Sequence, residues 1–216
     1  MAGGLNDSAA TAIGNGASPV NAGDHVRLRP LHQTDYPTLY QMEQDPATAQ
    51  QYRHRSNSIP PERYGEQLWA GVISQFVIES THDAQLVGLV SLYSADDVNG
   101  HARMALIMRP DLRGQAWPME GVTLFVDHVF AAFPYRKIYA EVTESAYNQF
   151  ATGAGRVFDV EGQLVEHQWT GGSYEDMYVL AIHRQKWAER FELRPKPLLD
   201  ILAEEAGVDR DDSSDA

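Results

Sequence analysis

The chain has 216 residues, of which 43% are apolar, and this length allows one domain with a substantial core plus tails. The absence of cysteine excludes a disulfide framework, a thiolate zinc site and a cysteine nucleophile, and without a recognisable signal peptide or apolar span we expect a cytoplasmic protein with no membrane contact. The formal net charge of −13 at pH 7 disfavours nucleic-acid binding, which needs clustered lysine and arginine, and favours cationic partners.

The two ends of the chain differ in composition from its middle. Residues 1–24 are rich in Gly, Ala, Ser and Asn without periodicity, so they lack the apolar surface that offsets the entropy of ordering, and we predict a flexible arm. Residues 25–195 are predicted to form the folded domain. Residues 196–216 are predicted to contain a short amphipathic helix at 197–203 and an acidic, disordered tail.

The middle of the chain predicts elements in the order β-α-α-β-β-β-α-β-α-β-β. Apolar alternation predicts strands at residues 26–29, 75–80, 86–93, 101–108, 137–142, 160–169 and 174–182. Helical spacing predicts helices from the candidate cap Thr34 to Glu43, from Pro60 and Pro61 through Tyr64, Leu68 and Val72, from Met119 to Phe133, and a weak one at 147–156. Short turns make the three strands at 75–108 an antiparallel meander, and a right-handed crossover makes strand 137–142 parallel to strand 101–108.

A strand, a loop and a helix follow one another between Met104 and Phe133. Pro118 suits the first helical turn, because its fixed φ is helical and its missing N–H would have no partner there. The amides of residues 113–117 precede this helix and can point beyond its N-terminus, where the helix dipole favours negative charge. Arg113 adds a planar fork of donors that matches a phosphate. The pattern predicts an anion site; an ordinary βα connection with a surface arginine is the alternative.

Three segments in this order resemble the GCN5-related N-acetyltransferase (GNAT) family, in the branch of ribosomal-protein and antibiotic N-acetyltransferases. They are VRLRPLHQTDYPTLYQ, RPDLRGQAWPMEGV and FDVEGQLVEHQWTGGSYEDMYVLAI, and the resemblance covers about residues 25–187. It implies an α/β fold with a mixed, largely antiparallel sheet, splayed between its fourth and fifth strands and flanked by helices. It also implies that acetyl-CoA lies in the splay as co-substrate and that acetyl passes directly to an amine without a metal.

The resemblance implies cofactor contacts in two parts of the chain. The residues that it assigns to acetyl-CoA binding are Met108, Arg113, Gly114, Gln115, Ala116, Trp117 and Asn148. Two departures weaken the match: Ala116 and Pro118 stand where the phosphate loop of the family has its glycines, and Asn148 lies ten residues before Phe158, where the family spacing is twelve. A non-catalytic acyl-CoA-binding or regulatory module on the same fold therefore stays open as the alternative to an enzyme.

The chemistry of acyl transfer narrows the catalytic candidates. The amine must lose its proton before it attacks the thioester, and the departing thiolate benefits from a proton donor. Glu141 is the predicted base, since it lies near the end of the strand that borders the splay and matches a strand glutamate of some family members. Tyr147 is the predicted acid. The alternatives are a solvated strand glutamate, a tyrosine that packs on the sheet, and Glu144 as the base.

The acceptor is predicted from charge. Acidic residues near the splay favour a cation, either a small molecule with more than one amine or a basic peptide; they are Glu141, Glu144, Glu161, Glu175 and Asp176. A protein N-terminus, an aminoglycoside, a polyamine and an amine of a secondary metabolite all remain compatible. The eight histidines show no HExxH spacing or other metal motif, so we expect no metal site. A homodimer is possible for such a domain.

Overall fold

The structure is a computed structural model that describes residues 21–45, 57, 59–112 and 114–191. Its strands are β1 (Asn21–Ala22), β2 (Val26–Arg29), β3 (Val72–Ser80), β4 (Leu86–Asp96), β5 (His101–Met108), β6 (Lys137–Thr143), β7 (Asp159–Thr170) and β8 (Ser173–His183). Its α-helices are α1 (Tyr36–Gln44), α2 (Pro61–Trp69), α3 (Met119–Ala132), α4 (Glu144–Tyr147) and α5 (Arg184–Phe191). Among these described helices, none is long and apolar enough to cross a membrane.

The strands form one sheet in the order β1-β2-β3-β4-β5-β6-β8-β7. In the described part of the chain β5 and β6 are the parallel pair and the other neighbours are antiparallel. If the two-residue β1 is left out, the parallel strands are the fourth and fifth of seven. Their pairing runs from His101 opposite Lys137 to Met104 opposite Ala140 and then stops, so the strands part beyond this point. The predicted fold class is confirmed.

Two apolar clusters cover the two faces of the sheet. On one face α3 buries Phe125, Val126, Val129 and Phe130 against strand residues that include Ile78 and Ile138. On the other face α1 and α2 bury Leu39, Met42, Tyr64 and Leu68 against Val77, Leu89 and Ile107. Successive strand residues alternate between these faces because the side-chain period of a strand is two. The terms α3 face and α1/α2 face are used below for the two sides.

Helix α3 lies unusually close to β3 at Gly121. A Cβ atom on this glycine would lie 2.6 Å from Cγ2 of Ile78, closer than side chains tolerate. At the other end of α3, the guanidinium of Arg184 donates to the carbonyl oxygens of Phe130, Phe133 and Tyr135. A cation that satisfies these carbonyl groups also complements the helix dipole. The position and the direction of α3 are therefore determined at both ends.

A buried ionic group joins the beginning of the domain to the sheet. Arg29 donates two hydrogen bonds of 2.8 Å to Asp35 and contacts Glu79. Burial acts to raise the pKa of Asp35, but the hydrogen bonds from Arg29 and from the N–H of His32 outweigh it and hold this pKa below its usual value. The carboxylate is thus charged near neutral pH, and Arg29 links β2 to β3 through Glu79 and to the short 3-10 turn Gln33–Asp35 through Asp35.

The structure differs from the predicted element boundaries in several places. Helix α1 begins at Tyr36, after the 3-10 turn that contains the predicted cap Thr34, and Val72 belongs to β3 rather than to the face of α2. The weak helix predicted at 147–156 is replaced by α4 and a 3-10 turn, Ala151–Gly153, and between them Phe150 lies outside the helical region with a φ of −134°. Helix α3 begins at Met119, with Pro118 at its N-cap.

The ends of the chain are described only in part. Residues 21–24 were assigned to the flexible arm, whereas Asn21 and Ala22 pair with β2 and the N–H of Asp24 donates to Glu120. The rest of the arm, the helix predicted at 197–203 and the acidic tail lie outside the described residues. The domain boundaries therefore stay predictions.

Candidate active site

The site is built around the place where β5 and β6 part. Beyond the last pair, Met104 and Ala140, the residues Ala105 and Glu141 come next on each strand. A backbone that has lost its neighbour leaves N–H and C=O groups for another partner. The gap is thus a slot between two strand edges that an extended, amide-containing molecule can enter.

Glu141 lies at the mouth of this gap on the α1/α2 face. Its carboxylate oxygen accepts a hydrogen bond of 3.1 Å from Nε of Arg103, and about a third of its side chain (36%) is exposed. Arg103 lies on β5, so the ion pair crosses the parallel strands directly before they separate. The carboxylate is accessible to an acceptor that approaches from this face, as a base must be.

Tyr147 lies on the opposite side of the sheet. Its ring stacks on Tyr178 at 4.3 Å with an interplanar angle of 13°, and it meets Phe158 edge-on at 6.4 Å. Tyr178 pairs with Val142, whose side chain points away from the face of Glu141. The two predicted catalytic residues therefore do not touch, and only a molecule that passes through the gap can reach both. Among the described residues no group hydrogen-bonds the hydroxyl of Tyr147.

The loop between β5 and α3 turns its amides outward. Gly114 has a φ of 77°, in the region that favours glycine. The carbonyl oxygens of Ala116 and Trp117 accept the N–H groups of Met119 and Glu120 at 3.1 and 3.2 Å, while the N–H groups of Ala116 and Trp117 have no partner among the described residues. These amides lie before the N-terminus of α3 and fit an anionic group such as a pyrophosphate.

Two side chains brace this loop. The indole N–H of Trp117 donates to the carboxamide oxygen of Gln115 at 2.6 Å, and the Trp117 ring packs on the core below α3. Gln115 also donates from its side chain to the carbonyl oxygen of Asp111 at 3.5 Å. The two predicted cofactor residues therefore hold the loop against the helix in the structure.

The remaining predicted cofactor residues occupy different positions. Met108 is the last residue of β5, beyond the point where the strands part. Asn148 follows α4 and is exposed. Arg113 lies outside the described residues. Met108 therefore lies on the β5 side of the gap. On the other side, α4 follows β6 and is followed by Asn148. Their roles in cofactor binding stay predictions.

The first turn of α3 carries an acid that the sequence analysis did not single out. The carboxylate of Glu120 accepts hydrogen bonds from the N–H groups of Asp24, His25 and Val26 at 2.7, 2.9 and 3.3 Å. Burial acts to raise the pKa of Glu120, but these three N–H groups outweigh it and lower the pKa. The acid therefore ties the start of β2 to the helix that supports the loop.

Two surface hollows flank the loop on the side away from the gap. Their volumes are about 460 and 600 Å³, and both are bordered by Arg109 and Gln85. Arg109 donates to Asp111 at 2.7 Å and to Gln85 at 2.7 Å, and its hydrogen bonds lower the pKa of Asp111. Neither hollow borders Glu141, so they do not mark the reacting centre.

The predicted acidic surface is only partly present. Glu141 pairs with Arg103, and Glu161 accepts from Lys137 at 2.8 Å, so these two charges are balanced. Glu144, Glu175 and Asp176 have no ion-pair partner among the described residues, and Glu175 accepts the N–H of Ser145 at 3.2 Å. Three acids without an ion-pair partner therefore lie around α4 and the beginning of β8. No group of three or more potential metal ligands is found in the described part of the chain.

Two residues of the α1/α2 face were missed. Gln75 and Ser91 interrupt otherwise apolar strands, in VISQFVI and LVSLY, and both are buried (4% exposed). A polar residue at a core position of a strand is the signal that could have identified them. Their partners across the sheet could not be identified from the strand pattern alone.

The gap between the parallel strands and the loop before α3 agree with the fold of acyl-CoA-dependent transferases. A family profile described as an acetyltransferase (GNAT) domain matches residues 25–148, and the chain belongs to this family. It is therefore an N-acetyltransferase that uses acetyl-CoA as co-substrate, and the resemblance found in the sequence is confirmed. The alternative of a non-catalytic binding module is set aside.

Individual relatives were found by sequence and by structure. The chain is 27% identical over 133 residues to spermidine N(1)-acetyltransferase of Vibrio cholerae, across 61% of this chain and 75% of that protein. Its fold is similar to a structure of the V. cholerae spermidine N-acetyltransferase in complex with CoA and spermine (TM-score 0.63, 22% identity, 75% of this chain and 97% of that chain). A GNAT acetyltransferase from Bacillus anthracis is also similar (TM-score 0.61, 13% identity, 76% and 98%).

Proposed function

We propose that this enzyme acetylates a primary amine of a small polycation, of the polyamine class, by direct attack of the amine on acetyl-CoA in a ternary complex. The observation that carries the proposal is the position of Glu141. Its exposed carboxylate lies where β5 and β6 part, so it faces both the slot for the thioester and the open α1/α2 face. A carboxylate in this place attracts an ammonium group and can then take its proton.

The proposed reaction uses residues on both sides of the gap. Glu141 takes a proton from the acceptor ammonium group, either directly or through one water, and the free amine attacks the thioester carbon. The amide bond forms as the carbon–sulfur bond breaks, the attacking nitrogen releases its second proton to water, and the thiolate of coenzyme A leaves. Tyr147 is the proposed donor of the proton that the thiolate takes up. Its support is a hydroxyl without a partner among the described residues, at the end of the helix that follows β6.

The acceptor class is supported by charge and by one relative. Three acids around α4 have no ion-pair partner among the described residues, and the whole chain carries −13. A negative surface next to the site raises the local concentration of a polycation. The V. cholerae relative is named as a spermidine acetyltransferase, which matches this charge argument.

The test is a turnover assay with a panel of amines. Purified enzyme and acetyl-CoA are incubated with a linear triamine, a monoamine of equal length, an aminoglycoside and a basic peptide, and thiol release and the acetylated product are measured. We expect kcat/KM for the triamine to exceed that for the monoamine by at least about tenfold, which corresponds to about 1.4 kcal/mol. A clear preference for the monoamine, the aminoglycoside or the peptide would refute the polyamine proposal.

A further inference from the structure

Residues from four neighbouring strands lie in one line across the α1/α2 face. Gln75 of β3 is directly opposite Ser91 of β4, and Ser91 is directly opposite Ala105 of β5. Ala105 follows Met104, the last residue of β5 that pairs with β6, so it is level with Glu141. Side chains of directly opposed residues point to the same face. We call this line the polar row: Gln75, Ser91, Ala105 and Glu141.

The first residue of the polar row is buried, and its side chain has no hydrogen-bond partner in the described structure. Gln75 is 4% exposed, and neither its carboxamide oxygen nor its nitrogen has a hydrogen-bond partner among the described residues. Two residues away on the same three strands, the same face carries the apolar residues Val77, Leu89 and Ile107. A buried polar group without a partner costs about 1–3 kcal/mol. Such a group keeps its full capacity to bind a ligand.

We propose that Gln75 and Ser91 bind the far end of the acceptor while its reacting amine lies beside Glu141; this inference rests on the proposed function. The carboxamide oxygen of Gln75 and the hydroxyl of Ser91 can each accept a hydrogen bond from an N–H group. Ala105, between them and the gap, has only a methyl side chain, against which an aliphatic chain can pack. The polar row thereby selects an amine that carries a second nitrogen at a set distance.

The width of the sheet gives this distance. Paired strands are about 4.8 Å apart, and the parted strands β5 and β6 are at least as far apart at Ala105 and Glu141, so about 14 Å or slightly more separates Gln75 from Glu141. After the reach of the two side chains is subtracted, roughly 9–12 Å remain between the two nitrogen atoms of the acceptor. An extended chain advances roughly 1.2 Å per bond. The preferred acceptor is therefore a linear polyamine whose bound nitrogens are about eight to ten bonds apart.

The test compares wild type with Gln75→Met, which keeps the length of the side chain and removes its hydrogen bonds. The substrates are a monoamine and a series of linear diamines and triamines of increasing length, and kcat/KM is measured for each. We expect a wild-type maximum at about eight to ten bonds. In Gln75→Met this maximum falls at least tenfold, whereas the monoamine changes less than twofold. Gln185→Met is the control, because Gln185 lies on α5 and donates only to Glu189 in the described structure.

Two further measurements separate binding from a structural role. Thermal unfolding of Gln75→Met should occur at the wild-type temperature or above it, since an unsatisfied buried group is removed; a lower temperature would show that the amide supports the fold and would overturn the inference. Ser91→Ala should lower the same maximum by about threefold or more. If wild type shows no preference for polyamines, the proposed function and the inference both fail. If it prefers them and Gln75→Met keeps the same length profile, only the inference fails.

Discussion

Glu141, the proposed base, is held in place by a neighbour on the adjacent strand. The ion pair with Arg103 holds the carboxylate in one direction at the mouth of the gap. The fixed direction matters because a base must lie within hydrogen-bond reach of the proton that it removes. Arg103 is thus a positioning residue for Glu141.

Replacement of Glu141 tests the role of the base. Glu141→Gln keeps the shape and the hydrogen bond to Arg103 but cannot accept the proton, so we expect kcat to fall about 10²- to 10⁴-fold. The KM for the acceptor should change less, by about threefold at most. Steady-state kinetics with saturating acetyl-CoA measures both.

Glu189→Gln is the matched control, because Glu189 is an exposed acid on α5 that accepts from Gln185. We expect it to retain wild-type rates. If Glu141→Gln keeps full turnover across the pH range, the base has to be sought at Glu144 or in an ordered water molecule.

At the scale of elements, α3 connects the core to the cofactor loop. Gly121 allows the helix to lie against Ile78, and Glu120 ties the first turn to the start of β2. The loop amides of Ala116 and Trp117 point outward from the same first turn. Any displacement of the helix therefore also displaces the amides that we predict to bind the pyrophosphate.

Gly121→Ala should act on stability and on cofactor binding together. The added methyl group would lie 2.6–2.9 Å from three atoms of the buried Ile78 side chain, so we expect a loss of about 1–3 kcal/mol in the free energy of unfolding. Urea denaturation measures this loss. Calorimetry with coenzyme A should show weaker binding at a temperature where the variant is still folded.

Gly162→Ala on β7 provides the comparison. Its new methyl group would meet only Val179, at 3.7 Å, which is ordinary van der Waals distance. We expect its unfolding free energy to stay within about 0.5 kcal/mol of wild type. Equal stability of the two variants would show that the contact between α3 and β3 is not tight.

At the scale of the whole molecule, an acid in an ion pair attracts cations only at short range, whereas the net charge attracts them at long range. The paired acids Glu141 and Glu161 have lost most of their long-range field to Arg103 and Lys137. The excess negative charge comes from acids without such partners and gives the chain its total of −13. This long-range attraction weakens with salt because charges more than about 8–10 Å apart are screened at physiological ionic strength.

The association of a polycationic acceptor should therefore depend on salt. Between about 20 and 300 mM NaCl we expect kcat/KM for a linear triamine to fall about three- to tenfold, whereas kcat at saturation stays nearly constant. A monoamine measured in parallel should lose less than about twofold. Equal salt sensitivity of the two substrates would contradict a role for the negative surface.

The sequence by itself determined the local structure and the class of the protein. Period-two and period-3.6 patterns identified the strands and helices, because each element must bury one face. Three segments in order resembled the GNAT family, and this resemblance implied the transferase fold. Boundaries near Thr34 and Val72 were wrong, since turn geometry and sheet pairing extend beyond the window of a local pattern.

Only the tertiary structure decided which side chains meet. A one-residue change of register moves every side chain of a strand to the other face, so the sequence did not show that Glu141 and Tyr147 lie on opposite faces. The pairing of Glu141 with Arg103 and the alignment of Gln75 with Ser91 likewise depend on strand register across long sequence separations. These contacts are properties of the assembled sheet, because they exist only when distant segments pair in a single register.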